Sequence, residues 1–225
     1  MDTNNLVPEA PPTIYYIPEF ITPEEEQRLM NSVYAAPKPK WTQLSNRRLQ
    51  NWGGLPHPKG MVAEDIPQWL KTYIDKIGTL GIFGDCLPNH VLVNEYEAGQ
   101  GIMPHEDGPL FYPVVSTISL GSHTFLDFYR PISEDTQDST SFQDRYLTSV
   151  LLQPRSLILV CDDMYKTFLH GIEDRTTDHV TDKVVNLSQC EGISIGETLS
   201  RKTRISLTIR HVPKTIKNKL IFGKR

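Results

Sequence analysis

The chain has 225 residues, enough for one full hydrophobic core, and a single domain over residues 14–225 is expected. A net charge of −4 excludes a molecule-wide basic footprint, so any nucleic-acid contact must come from a local patch. Three cysteines, Cys86, Cys161 and Cys190, lack CxxC or zinc-like spacing, which argues against a disulfide framework or structural zinc and points to a reducing compartment, cytoplasm and nucleus.

Residues 1–13 are polar and proline-rich, and the pattern predicts a disordered leader. They hold no cationic stretch followed by an apolar run, and no later segment has the apolar length of a membrane span, so no membrane partner is expected. Ile14–Pro18 reads as a short strand. Thr22, Pro23 and the acids Glu24 to Glu26 then open a helix to about Tyr34: a hydroxyl cap, a proline in the first turn and negative charge at the positive end of the dipole.

Periodicity fails over residues 35–62, where Lys38, Lys40, Arg47, Arg48 and Lys59 mix with Trp41 and Trp52. The stretch reads either as a lid that offers cations to phosphates and rings to bases, or as a solvated loop pinned to the core by its tryptophans. A second helix is expected near residues 63–78, with Trp69, Leu70, Tyr73, Ile74 and Ile77 on one face. Beyond Pro88 the pattern turns to strands: His90–Tyr96, Val114–Leu120, Thr124–Tyr129, Thr148–Leu152, Ser156–Cys161 and Arg204–His211. The fold class is therefore mainly β with flanking helices. Polar stretches at 131–146 and 173–202 read as mobile surface insertions.

Three motifs carry chemistry. His105 and Asp107 are two apart, so on a strand both leave the same face, and His170 follows in Phe168-Leu169-His170-Gly171. Two imidazoles and one carboxylate on one side of a metal form the facial triad that leaves open positions on Fe(II). In Arg204-Ile205-Ser206-Leu207-Thr208-Ile209-Arg210, donors alternate with aliphatic residues. That is either an ordinary half-exposed strand or an anchor for a dicarboxylic co-substrate, since a guanidinium fork with a neighbouring hydroxyl suits a carboxylate. Asn94 and Tyr96 share one strand face just before His105.

In this order, Asn94-x-Tyr96, His105-x-Asp107, His170 and Arg204-x-Ser206-x-Thr208-x-Arg210 resemble the AlkB family of oxygenases, over roughly residues 88–130 and 148–212. The segments LQNWGGLPHP, GIMPHEDGPL and STISLGSHTFLDFY add to the likeness. The resemblance implies a double-stranded β-helix (jelly roll) with the N-terminal helices packed on one sheet. It also implies Fe(2+) on His105, Asp107 and His170, and 2-oxoglutarate held by Arg204 with contacts from Asn94, Tyr96 and Ser206. Arg210 belongs to the same motif, yet six strand positions separate it from Arg204 by roughly 20 Å.

The reaction implied is hydroxylation of a C–H bond coupled to decarboxylation of 2-oxoglutarate, which on an N-methyl group ends in demethylation. Single-stranded or damaged nucleic acid is the expected partner of a monomer, with Trp41, Arg47, Arg48, Trp52 and Tyr112 as candidate contacts. Oxidation of a protein or small molecule, or binding without catalysis, are the alternatives. Two departures stand out: the family's usual Asn is Ser206 here, and the acid that follows the metal-binding Asp by two residues in the founding bacterial enzyme is Pro109.

Overall fold

The computed structural model describes residues 2–8, 10, 13–132 and 141–216. The first half holds β1 (Ile14–Ile17), α1 (Pro23–Tyr34), β2 (Thr42–Gln43), β3 (Arg48–Trp52), β4 (Met61–Val62) and α2 (Gln68–Gly78). Next come β5 (His90–Tyr96), β6 (Ile102–His105), β7 (Val114–Leu120), β8 (Thr124–Tyr129), α3 (Phe142–Arg145) and β9 (Tyr146–Leu152). The chain continues through β10 (Leu157–Cys161), α4 (Asp162–Lys166), β11 (Leu169–Ile172), β12 (Thr177–His179), β13 (Thr198–Ser200), β14 (Arg204–Arg210) and β15 (Thr215–Ile216).

Two antiparallel sheets form the body, a major one in the order β1-β10-β7-β14-β5-β3-β2 and a minor one in the order β6-β11-β8-β9. Between them lie Tyr16, Val115, Phe128, Val150, Leu152, Ile158 and Val160, an apolar layer that also takes in Val7. On the other face of the major sheet, Leu29 and Val33 of α1 and Leu70, Ile74 and Ile77 of α2 pack on Val91, Val93, Ile205, Leu207 and Ile209. Two facing sheets with helices on the outside of one make a jelly roll with the expected helix placement.

Local chemistry explains the helix starts. Thr22 caps α1 through a complete capping box: its hydroxyl accepts from the Glu25 amide at 3.2 Å, and the Glu25 carboxylate accepts from the Thr22 amide at 2.8 Å. Helix α2 starts at Gln68 rather than near residue 63, because Pro67 holds Ile66 extended and itself occupies the cap.

Three stretches differ from their sequence reading. Within the expected disordered leader, Leu6 bridges to Tyr15 and Val7 is 1% exposed in the inter-sheet core. Within the expected irregular stretch 35–62, β3 joins the major sheet beside β5, with Arg48 opposite Glu95 and bonded to it at 2.5 and 3.0 Å. A cross-strand ion pair accounts for a basic residue in a strand that apolar periodicity does not flag.

The insertion 173–202 is built rather than loose. Val180 and Val184 bury against Phe125 and Leu151 on the outer face of the minor sheet. The Asn186 side chain pairs with both backbone groups of Leu151 at 2.8 and 2.9 Å. Asp178, fully buried, accepts from Arg175 and Arg201 at 2.7 Å. The polar residues that suggested mobility therefore satisfy one another inside the structure. Of the stretch 131–146, residues 133–140 lie outside the described residues, while the last four before Tyr146 form α3 and Tyr146 itself begins β9. Residues 217–225 lie outside them too.

Candidate metal and co-substrate site

Strands β6 and β11 lie side by side with His105 directly opposite His170. That pairing needs Gly171, where an added Cβ would sit 2.9 Å from the Pro104 nitrogen and 3.0 Å from the Ile102 oxygen. Asp107 follows two residues after His105, and one ligating atom from each of His105, Asp107 and His170 lies within 4.8 Å of the others. The His105 Nδ1–H donates to the Met103 carbonyl at 2.8 Å, so Nε2 carries the free lone pair. Burial lowers His170 to about 4, against the opposing pull of Asp107, so its ring is a neutral imidazole.

Burial alone would raise the Asp107 carboxyl, but Arg210, His170 and His105 outweigh it and hold it below the usual range. One oxygen accepts from Arg210, whereas Oδ2 is buried without a partner and lies 4.0 Å from His170 Nε2. Two imidazoles and a carboxylate oxygen without a partner, gathered in one place, are the donor set that Fe(II) takes. The residues fit the metal.

These side chains open into a cavity of about 290 Å³ between the sheets, which Asn94, Tyr96, Arg204, Ser206 and Arg210 line from the major-sheet side. The alternation in β14 is therefore an inward polar face: Arg204 and Ser206 are each 3% exposed, and Ile205, Leu207 and Ile209 point into the helical core. Arg204 donates to Ser119 Oγ at 2.9 Å, its Nε is buried without a partner, and among the described residues no carboxylate pairs with it. Burial lowers this guanidinium to about 10, opposed by Tyr96. A buried cation lacking a counter-charge is costly unless an anion completes it, so Arg204 fits the carboxylate of a co-substrate. Arg210, at the far end of the same strand, sits at the metal end of the cavity against Asp107.

The five residues proposed for substrate contact separate. Arg47 lines the cavity, and its Nε donates to Asn94 Oδ1 at 3.2 Å. The tip of the β2–β3 hairpin also reaches the chain just after β11, where Asn46 donates to Asp174 at 3.2 Å. Arg48 is spent on Glu95 and stacks over Trp41 at 4.2 Å; Trp52 lies under Lys40 at 4.4 Å and edge-on to Trp69 at 5.7 Å. Both tryptophans pack on the helical core, as the pinned-loop reading had it. Tyr112 is packed between Phe83 and His211 and is not among the cavity's lining residues.

Sequence reasoning missed Ser119, which holds Arg204, and Thr117 in the cavity wall. Ser119 and Thr117 share the parity of Val115 in β7, so an inward polar alternation was the available signal. A larger cavity of about 670 Å³ lies on the outer face of the minor sheet under the insertion. It shares only Ile102 and Ile172 with the first, and neither the triad nor Arg204 lines it.

Comparison with known proteins agrees with this geometry. A family model of the 2OG-Fe(II) oxygenase superfamily matches residues 40–210. The probable RNA/DNA demethylase ALKBH6 of Danio rerio is 58% identical over 221 residues, covering 98% of this chain and 94% of its own. The tRNA (carboxymethyluridine(34)-5-O)-methyltransferase alkbh8 of Xenopus tropicalis is 27% identical, covering 92% of this chain and 33% of its own. Among solved structures, OsALKBH1 superposes with a TM-score of 0.58 at 14% identity, covering 90% of this chain and 99% of its own.

Proposed function

The chain belongs to the 2OG-Fe(II) oxygenase superfamily, in its AlkB family, and from that premise we propose that this dioxygenase removes methyl groups from nucleic acid. In this reading His105, Asp107 and His170 hold Fe(2+), and Arg204 anchors 2-oxoglutarate. One observation carries the assignment: an uncompensated buried guanidinium and an unsatisfied His-Asp-His cluster line a single cavity of about 290 Å³. The zebrafish relative's name, at 58% identity, supports nucleic acid as the substrate class.

Bound Fe(II) supplies dioxygen activation, with 2-oxoglutarate giving the electrons and leaving as succinate and carbon dioxide. One oxygen atom enters succinate and the other the substrate C–H bond; an N-hydroxymethyl product then releases formaldehyde and leaves N–H behind. The protein orients the reactants. Arg204, steadied by Ser119, fixes the far carboxylate, and the Tyr96 hydroxyl, whose pKa burial raises, stays a neutral donor. Leu126, Leu152, Ile158 and Val160 wall the cavity with apolar surface that excludes water. Arg47 lines the cavity beside Asn94, and among the described residues its guanidinium has no other hydrogen-bond partner, so it suits a phosphate or a base edge. Three unpaired cysteines support the cytoplasm and nucleus as its compartment.

The test is formaldehyde release from N-methylated RNA and DNA oligonucleotides, single- and double-stranded, with Fe(II) and 2-oxoglutarate. Formaldehyde in step with succinate on at least one oligonucleotide, and weaker, less salt-dependent oligonucleotide binding in Arg47→Ala, are expected. Succinate without formaldehyde on every oligonucleotide, with Arg47→Ala binding unchanged, would contradict it.

A further inference from the structure

Beyond the ligands themselves, the wall behind Asp107 holds a chain of buried polar groups that the reaction does not explain. In the major sheet β14, β5 and β3 are neighbours, with Arg210 directly opposite His90 and Asn51 opposite Leu92, two positions further along β5. His90 is 0% exposed, and its Nε2 lies 3.2 Å from Asn51 Oδ1. An amide oxygen only accepts, so Nε2 carries the proton and Nδ1 is left as the acceptor. Burial, then the neighbouring Arg210 charge, lower His90 to about 3, which agrees with a neutral ring.

His90 Nδ1 is buried without a partner, and so is Arg210 Nε. The facing residues thus present one orphan acceptor and one orphan donor in a region where either alone is costly. Phe111 packs against both: the Arg210 guanidinium carbon is 3.9 Å from its ring centre, and the His90 ring 6.0 Å. Arg210 Nη1 in turn grips Asp107 Oδ1, leaving Oδ2 turned toward His170.

We propose that His90 is a positioning residue for the metal centre. Tied to Asn51, it turns its free Nδ1 acceptor toward the facing Arg210 guanidinium, and Arg210 in turn holds Asp107. The inference rests on Asp107 being a metal ligand. Such outer partners of a ligand hold its orientation and contribute to metal affinity without touching the metal. The carboxylate ligand is thereby linked to β3, the strand that follows the hairpin turn bearing Arg47, which lines the same cavity.

A double-mutant cycle on Co(II) affinity tests this, by calorimetry on the full chain with the unfolding midpoint of each variant recorded. His90→Phe keeps a ring against Phe111 and removes the acceptor; it should weaken Co(II) binding about ten-fold, the lower range for an outer-shell partner. Arg210→Met should weaken it at least as much, and adding His90→Phe to Arg210→Met should do nothing further. His90→Gln, which restores an acceptor, should return most of the lost affinity. Additive losses, or unchanged affinity in His90→Phe, overturn the proposal. Should His90→Phe not fold, the half-exposed Asn51→Leu gives the same reading, weakened alone and silent with Arg210→Met. Asp107→Ala is the separate control: full Co(II) affinity there would overturn the triad itself, whereas lost affinity with no His90–Arg210 coupling overturns only the positioning role.

Discussion

Replacing Arg204 by alanine removes the one buried guanidinium, among the described residues, that faces the cavity without a carboxylate. Charge-assisted hydrogen bonds to a buried carboxylate contribute about 1.5–3 kcal/mol, so 2-oxoglutarate binding should weaken about 10- to 100-fold. Metal affinity measured alone should stay near the parent value, because no contact joins Arg204 to the triad; equal loss of both would mark the strand as structural. Arg48→Met gives the contrast. It leaves Glu95 buried without its cation and should cost about 2 kcal/mol in denaturant unfolding, with 2-oxoglutarate affinity unchanged. The two arginines look alike in sequence, and only their partners separate a binding group from a structural one.

Among the elements, the insertion 173–202 behaves as a clamp on the outer face of the minor sheet through Asp178 and its partners. Burial would raise the Asp178 carboxyl, but the nearby His123 ring and bonds from Arg201 and Arg175 hold it well below the usual range. A folded-state value below the unfolded one contributes stability above the unfolded pKa of about 3.9, and that stability is lost as pH falls toward the folded value. Asp178→Asn should therefore cost about 3 kcal/mol at neutral pH, and the gap from the parent should close below about pH 4. A gap that stays constant down to pH 3 would contradict the clamp.

What could be read before folding follows the same division. His105, Asp107 and the Arg204 face were legible because period-two alternation puts their spacing on one strand face, and α1 because Thr22 and Glu25 form a local capping box. Strand β3 and the insertion were not, because Arg48 meets an acid distant in sequence and Arg201 one across a fold-back, and polarity alone resembles a loop. The role of Ser119 needed the β7–β14 register, and His90 needed the facing Arg210.

At the scale of the whole molecule, the jelly roll does one thing for chemistry: it brings β6 and β11 of the minor sheet over the inward polar faces of β5 and β14 of the major one. Metal donors sit on one wall and the anion anchor on the other, so neither sheet alone is a site. The most direct test is an anaerobic titration of Fe(II) into the protein with 2-oxoglutarate, followed by the visible charge-transfer absorption of a 2-oxo acid chelated to Fe(II). The parent should develop the band at one Fe(II) per chain; His105→Ala, Asp107→Ala and His170→Ala should not, and Arg204→Ala should need far more 2-oxoglutarate. No band in the folded parent, or an undiminished band in a folded triad variant, would contradict the account.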